Sequence, residues 1–129
     1  MRRSIKSLLI TSLVFTPLIA LAGAANAGDP YGIWQRPSTG TQVRFYDCGG
    51  KLCGKVVAVR EAARKKEIGV MIMTDAPKTG DKKWQGDMRD AGTGTVYSDV
   101  VVTLQSAGSL KVRGCVMMIC RAEMWTRVK

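Results

Sequence analysis

Apolar residues recur at every second position through most of the chain beyond residue 30. In TQVRFYDC, Val43 and Phe45 fall on one face and Gln42, Arg44 and Tyr46 on the other. In TVYSDVVVTL, Val96, Val100, Val102 and Leu104 share a face opposite Thr95, Tyr97, Asp99 and Thr103. In SLKVRG, Leu110 and Val112 oppose Lys111 and Arg113. Successive side chains of a strand point to opposite sides, so a period of two predicts strands with one buried face. Turn formers punctuate the pattern: PSTG at 37–40, CGGK at 48–51, PKTGD at 77–81, DAGTG at 90–94 and SAG at 106–108. Strands are expected near 31–36, 42–48, 53–60, 69–74, 83–88, 95–104, 109–116 and 119–128, with one helical turn at EAARKKE, 61–67. Seven or eight short strands joined by short turns, with little helix, predict an all-β antiparallel architecture. Closing such a sheet removes its exposed edges, so a small up-and-down β-barrel is the first choice and a two-sheet sandwich the second.

The N-terminal segment follows a different pattern. MRRSIK carries Arg2, Arg3 and Lys6, then LLITSLVFTPLIALA is apolar, and AGAANA is small-residue rich. These are the three regions of a secretory signal peptide, with cleavage expected after Ala27. A membrane anchor fits less well, because the run is short, contains Pro17 and ends in small residues. The expected products are a cleaved leader, 1–27, and a single β-barrel domain, 28–129, that is periplasmic or secreted and does not span a membrane.

Cleavage removes three of the 20 Lys+Arg and none of the 10 Asp+Glu, which leaves 17 against 10, a net charge of +7. In an exported protein that excess suits an anionic envelope component rather than nucleic acid. The cations gather at Arg60, Arg64, Lys65, Lys66 and again at Lys78, Lys82, Lys83. Together they would make one patch for an anionic partner; the plainer reading is two solvated loops.

Catalytic chemistry finds little footing. The chain has no histidine, which removes the usual base of a nucleophilic triad. Asp47, Asp75, Asp81 and Asp90 sit in turns, where Asp accepts backbone hydrogen bonds, and alternation turns Asp99 outward. GTGT at 92–95 lacks a phosphate-loop lysine and precedes a strand. No catalytic residue, metal site or cofactor is expected, and the protein reads as a non-enzyme. Met71, Met73, Met117 and Met118 have thioethers that suit cuprous copper, but Met more often fills gaps in a core.

Four cysteines stand in two pairs of equal spacing, Cys48 and Cys53, Cys115 and Cys120. An oxidising compartment favours disulfides. A hairpin with the loop Gly49-Gly50-Lys51-Leu52 would set Cys48 opposite Cys53, and the loop Val116–Ile119 would do the same for Cys115 and Cys120. Two local bridges rank first, crossed pairing second and a Cys₄ metal site third. The second loop is unusually apolar, so it is expected to tuck against the barrel.

In order along the chain, GIW (Gly32 to Trp34), CGGKLCGKVV (Cys48 to Val57), Trp84 and Gly86 before the D-x-G turn and Tyr97, SLKVRG-C (Ser109 to Cys115) and WTRV (Trp125 to Val128) resemble one family. These are small exported bacterial proteins catalogued as domain of unknown function 2147. The resemblance spans the mature chain and implies a lipocalin-like (calycin) barrel. Ala58 stands where that family often has a bulky residue, which implies extra interior space. Calycins also resemble one another in a G-x-W on the first strand and an Arg near the end of the last. Gly32, Trp34 and Arg127 match, which implies that Arg127 stacks on Trp34, with Trp125 nearby, to shut one end. The expected function is binding of a small apolar or amphipathic ligand in the barrel mouth, although strands this short argue for a largely filled interior. The alternative is a basic envelope module that contacts anionic polymer or a partner protein and holds no small ligand.

Overall fold

The computed structural model describes residues 12–14 and 28–129; the expected leader falls almost entirely outside them. Nine strands form one antiparallel sheet: β1 (Gly32–Gln35), β2 (Gln42–Asp47), β3 (Leu52–Ala58), β4 (Met71–Ala76), β5 (Lys78–Gly80), β6 (Lys83–Arg89), β7 (Val96–Ser106), β8 (Ser109–Val116) and β9 (Ile119–Arg127). A 3₁₀ helix, Ala62–Glu67, occupies the expected helical turn. Among the described residues no helix is long and apolar enough to cross a membrane.

The sheet closes into a barrel. Its order is β4-β3-β2-β1-β9-β8-β7-β6-β5, and β4 also pairs with β6 through Met73 and Met88. Eight strands therefore ring the core and β5 is an added edge piece, not anticipated because its three residues are all exposed and carry no alternation. First and last strands are neighbours, with Trp34 opposite Arg127 and Gln35 opposite Thr126.

Inward side chains change size along the barrel axis. Trp34, Phe45, Leu52, Trp84, Leu104 and Leu110 are buried towards the end that holds the 47–52 and 106–109 turns. Full burial of such side chains stabilises by about 1.5–3 kcal/mol each. Gly54 faces Phe45 across β2 and β3, and a Cβ there would come within 2.8 Å of the ring, so glycine makes room for the aromatic. Towards the other end the inward residues are smaller: Val43, Val56, Ile72, Val100 and Val112.

Two readings of alternation need correction. Val96 was expected inward and Tyr97 outward, but Val96 is exposed and Tyr97 packs on the core. The pairing shifts between Gly86 and Met88, and Asp99 takes a left-handed φ of 55°. The bulge inserts one extra residue into β7, and one residue reverses the parity of everything before it. A register shift between Gln42 and Val43 acts likewise on β3, so Ala58 does not line the interior space it was expected to enlarge.

Both local disulfides are present, Cys48–Cys53 and Cys115–Cys120. Each closes a ring worth about 2 kcal/mol in the chain-entropy account. Cys115 faces Cys120 as expected. Cys48 is displaced by one position: Asp47 pairs with Leu52, and Cys48 donates its N–H to the Lys51 carbonyl at 2.9 Å. The turn is thus Gly49-Gly50, with φ of 78° and 84°. A two-residue hairpin turn with both φ positive matches strand twist best, and glycine supplies it without strain.

Candidate functional site

The closed end is built around Arg127. Its guanidinium carbon lies 4.3 Å from the centre of the Trp34 ring. Its fork donates to three carbonyls: Ala107 at 2.5 Å, Tyr31 at 2.5 Å and Asp29 at 2.8 Å. The Trp34 indole N–H donates to Pro30 at 2.8 Å. Gly32 has a φ of 129°, and a Cβ there would strike the Lys129 carbonyl oxygen and approach Arg127 to 2.8 Å. Trp125 packs on Phe45 with ring centres 5.9 Å apart. Gly32, Trp34, Trp125 and Arg127 thus form the shut end and the layer above it.

The opposite end is hollow. A cavity of about 950 Å³ opens between the 3₁₀ helix, the 89–96 connection and the β8–β9 hairpin. Its walls are Val43, Val56, Ile72, Val100 and Val112, with Met88 and Tyr97 on one side and Trp125 towards the floor. The interior is therefore not largely filled, despite the short strands, because valines at this level leave space that Trp34 and Phe45 occupy below. A shallower hollow of about 600 Å³ lies on the outer face near Asp99 and Arg113; it is not enclosed by the barrel.

Paired charges frame the cavity mouth. Arg36 follows β1 on the inward parity of Trp34, and its Nε donates to Glu123 at 2.7 Å while Nη1 lies 4.0 Å from Asp90. Arg64 holds Glu67 in a fork, Nε to Oε2 at 2.5 Å and Nη2 to Oε1 at 2.7 Å. Glu67 is only 2% exposed, and a buried carboxylate needs such a partner. The hydrogen bond to Glu67, ahead of the opposing effect of burial, raises the Arg64 pKa. Burial pushes the Asp90 carboxyl up, but backbone N–H groups of Thr93 and Gly92, the Thr93 side chain and the Arg36 charge outweigh it and hold the pKa below its ordinary value. Burial likewise pushes Glu123 up, and Ser38, Arg36 and the Trp125 N–H together bring it down. That indole N–H is near enough to favour the ionised carboxylate but lies outside hydrogen-bond geometry. Trp125 is 3% exposed, and its Nε1 is a buried donor without an acceptor among the described residues.

The seven cations proposed as a single patch divide. Arg60, Arg64, Lys65 and Lys66 lie in the connection from β3 to β4 at the cavity end, where Arg60 rests against Gly40. Lys78, Lys82 and Lys83 lie at the shut end, Lys78 5.7 Å from the Trp84 ring centre. β4 runs the height of the barrel between the two groups, with Met71 opposite Lys55 and Ala76 opposite Leu52. Proximity along the chain thus does not become proximity in space.

The profile of a family described as an uncharacterized protein conserved in bacteria, DUF2147, matches residues 32–127. The chain belongs to the DUF2147 family. The match begins at Gly32 and ends at Arg127, the pair that meets at the shut end. Among solved structures, one titled as the protein HP1028 from the human pathogen Helicobacter pylori, belonging to the lipocalin family, is similar to this DUF2147 chain. The TM-score is 0.67 at 20% identity, over 78% of this chain and 84% of that one. Likeness at that identity speaks to the fold, a lipocalin-like barrel. Comparison with curated proteins finds no match.

Arg36, Glu67 and Glu123 were not singled out from the sequence; Asp90 was read only as a turn aspartate that accepts backbone hydrogen bonds, as it does from Gly92 and Thr93. A signal for two of them was present. Arg36 lies two residues beyond Trp34 and Glu123 two before Trp125, so the alternation that turned the tryptophans inward turns these inward as well. Glu67 ends the 3₁₀ helix and Asp90 lies in the connection from β6 to β7, where no strand periodicity marks direction.

Proposed function

We propose that this DUF2147 protein is an exported binding protein that holds one small amphipathic ligand in the open end of its barrel. The observation that carries this reading is the cavity of about 950 Å³, apolar in its walls and charged only at its mouth. Pockets of about 300–1,000 Å³ with few, well-placed polar groups are the usual form of small-molecule sites. An apolar tail would lie along Val43, Val56, Val100 and Val112. A polar head with an acceptor atom would meet the buried Trp125 N–H and the Arg36 guanidinium. Two disulfides fit an oxidising compartment, periplasmic or extracellular. Binding is favoured over catalysis because the mouth carboxylates are tied to arginines, Glu67 to Arg64 and Glu123 to Arg36.

Val112→Phe adds volume in the cavity wall while keeping an apolar side chain. With anilinonaphthalene sulfonate as an amphipathic probe, the wild-type protein should bind it at a single site, and Val112→Phe should weaken binding by about tenfold, a loss typical of a crowded pocket. Absence of probe binding to the wild-type protein, or equal binding by a folded Val112→Phe protein, contradicts the cavity as the site.

A further inference from the structure

The β8–β9 hairpin does not tuck against the barrel as its apolar loop led us to expect. Val116 pairs with Ile119, so Met117 and Met118 form the turn, and both are 97% exposed. Met117 adopts a φ of 55°, the left-handed region in which glycine or asparagine is the favoured residue. A methionine thus occupies a strained turn position while its side chain touches almost nothing in the protein. Strained, exposed and apolar is a costly combination in water, and such positions collect where function needs them. The Cys115–Cys120 bridge joins the two strands immediately below the tip, so the hairpin is presented as a braced projection.

The tip stands at the cavity mouth, since Val116, Met117 and Ile119 are among the residues lining the opening. Other exposed apolar side chains cluster at the same end. Ile68 follows the 3₁₀ helix and Val96 opens β7, and both belong to connections at the open end. Within the barrel, only Met124 and Val128 among the largely exposed apolar residues lie elsewhere. Charge at this end is one-sided. Exposed cations are Arg60, Lys65, Lys66, Arg89, Arg113 and Arg121, against exposed acids Glu61, Asp87 and Asp99. Glu67, Asp90 and Glu123 are already engaged by Arg64 and Arg36.

We propose that the Val116–Ile119 tip is a membrane-docking element that enters the interface of a bilayer containing anionic lipid, with the surrounding cations resting on its head groups. A protruding apolar tip amid positive charge matches the two attractions of an anionic interface: apolar burial at the acyl boundary and Coulomb attraction to head groups. A protein partner would more commonly be met by a flatter, larger patch with aromatic anchors. Docking in this pose turns the cavity mouth towards the lipid. The tip borders the mouth of the interior site, and its docking does not depend on a ligand inside the barrel.

The test is flotation of the disulfide-bonded mature protein with vesicles of phosphatidylethanolamine and phosphatidylglycerol, and with vesicles of phosphatidylcholine alone. The wild-type protein should float with the anionic vesicles and bind the neutral ones more weakly, with an affinity that falls as salt rises. Met117→Ser and Met118→Ser should each lower affinity for the anionic vesicles by about tenfold or more, the loss expected when a methionine side chain no longer leaves water. Both positions are exposed, so circular dichroism should not change, and Met118→Ser, which does not line the cavity, should leave probe binding there unchanged. No flotation with the anionic vesicles overturns the proposal. Equal flotation of the Met117→Ser/Met118→Ser protein also overturns it, because charge alone would then carry binding. So does a wild-type dimer that the double variant dissolves, which assigns the tip to a second copy of the chain.

Discussion

Arg127 shows how much one side chain can organise. It covers the Trp34 ring and donates to the carbonyls of Asp29, Tyr31 and Ala107, so a single residue ties the N-terminal segment and the β7–β8 turn to the barrel floor. A cation–π contact contributes about 0.5–2 kcal/mol and each charge-assisted hydrogen bond somewhat more than a neutral one. Arg127→Ala should therefore lose about 2–4 kcal/mol in denaturant unfolding. Arg127→Lys should recover less than half of that loss, because an ammonium cannot both stack and fork. At the other end, Asp90 and Glu123 have folded pKa values below their ordinary 3.8 and 4.5. The hydrogen bonds from Thr93 and Gly92 to Asp90 and from Ser38 and Arg36 to Glu123, with the Arg36 charge, contribute stability that is present above those ordinary values and is lost as pH falls through the depressed ones. Thermal stability should thus drop on acidification below the ordinary carboxylate range, and Glu123→Gln should flatten that dependence. An unchanged acid limb in Glu123→Gln would contradict the contacts of Glu123 with Ser38 and Arg36. The closure residues were legible through the resemblance to calycins, whose G-x-W and late Arg match Gly32, Trp34 and Arg127. Arg36 and Glu123 followed from the same parity, but charged residues are expected to face water, and that expectation masks an inward polar pair.

At the level of elements, alternation located the strands because each buries one face, and the turn formers separated them. What it missed are the places where the backbone inserts a residue. The β7 bulge at Asp99 leaves no apolar signal: TVYSD alternates as well in one parity as in the other, and only the pairing with β6 shows that Tyr97, not Val96, faces the core. The Gly49-Gly50 turn displaced Cys48 by one position for a similar reason, because turn geometry sets the register and cysteine spacing alone does not. An aspartate tolerates the left-handed region better than most residues, and a β-branched side chain tolerates it poorly. Asp99→Val should cost about 1–2 kcal/mol in thermal or denaturant unfolding even though Asp99 is exposed. Asp99→Gly should be neutral or slightly stabilising. If Asp99→Val is neutral, the bulge is not held where the pairing places it.

For the molecule as a whole, two gradients run along one axis. Inward side chains shrink from tryptophan and leucine at the shut end to valine at the open end, and exposed apolar residues concentrate at the open end. The first gradient leaves a cavity; the second surrounds its mouth with surface that water does not favour. Neither was visible from strand length, which argued for a filled interior, because volume inside a barrel depends on which residues share a level, and levels are set by register. The two cationic groups show the same limit, since β4 carries the chain from one end to the other between them. The central claim is that the open end holds a small amphipathic ligand. Its most direct test is a native mass spectrum of the protein purified from the cells that make it, compared with the same sample after denaturation. The account predicts a folded species heavier than the disulfide-bonded chain by one lipid-sized mass, released on unfolding. A bare folded mass in protein that also fails to take up amphipathic probes would contradict it.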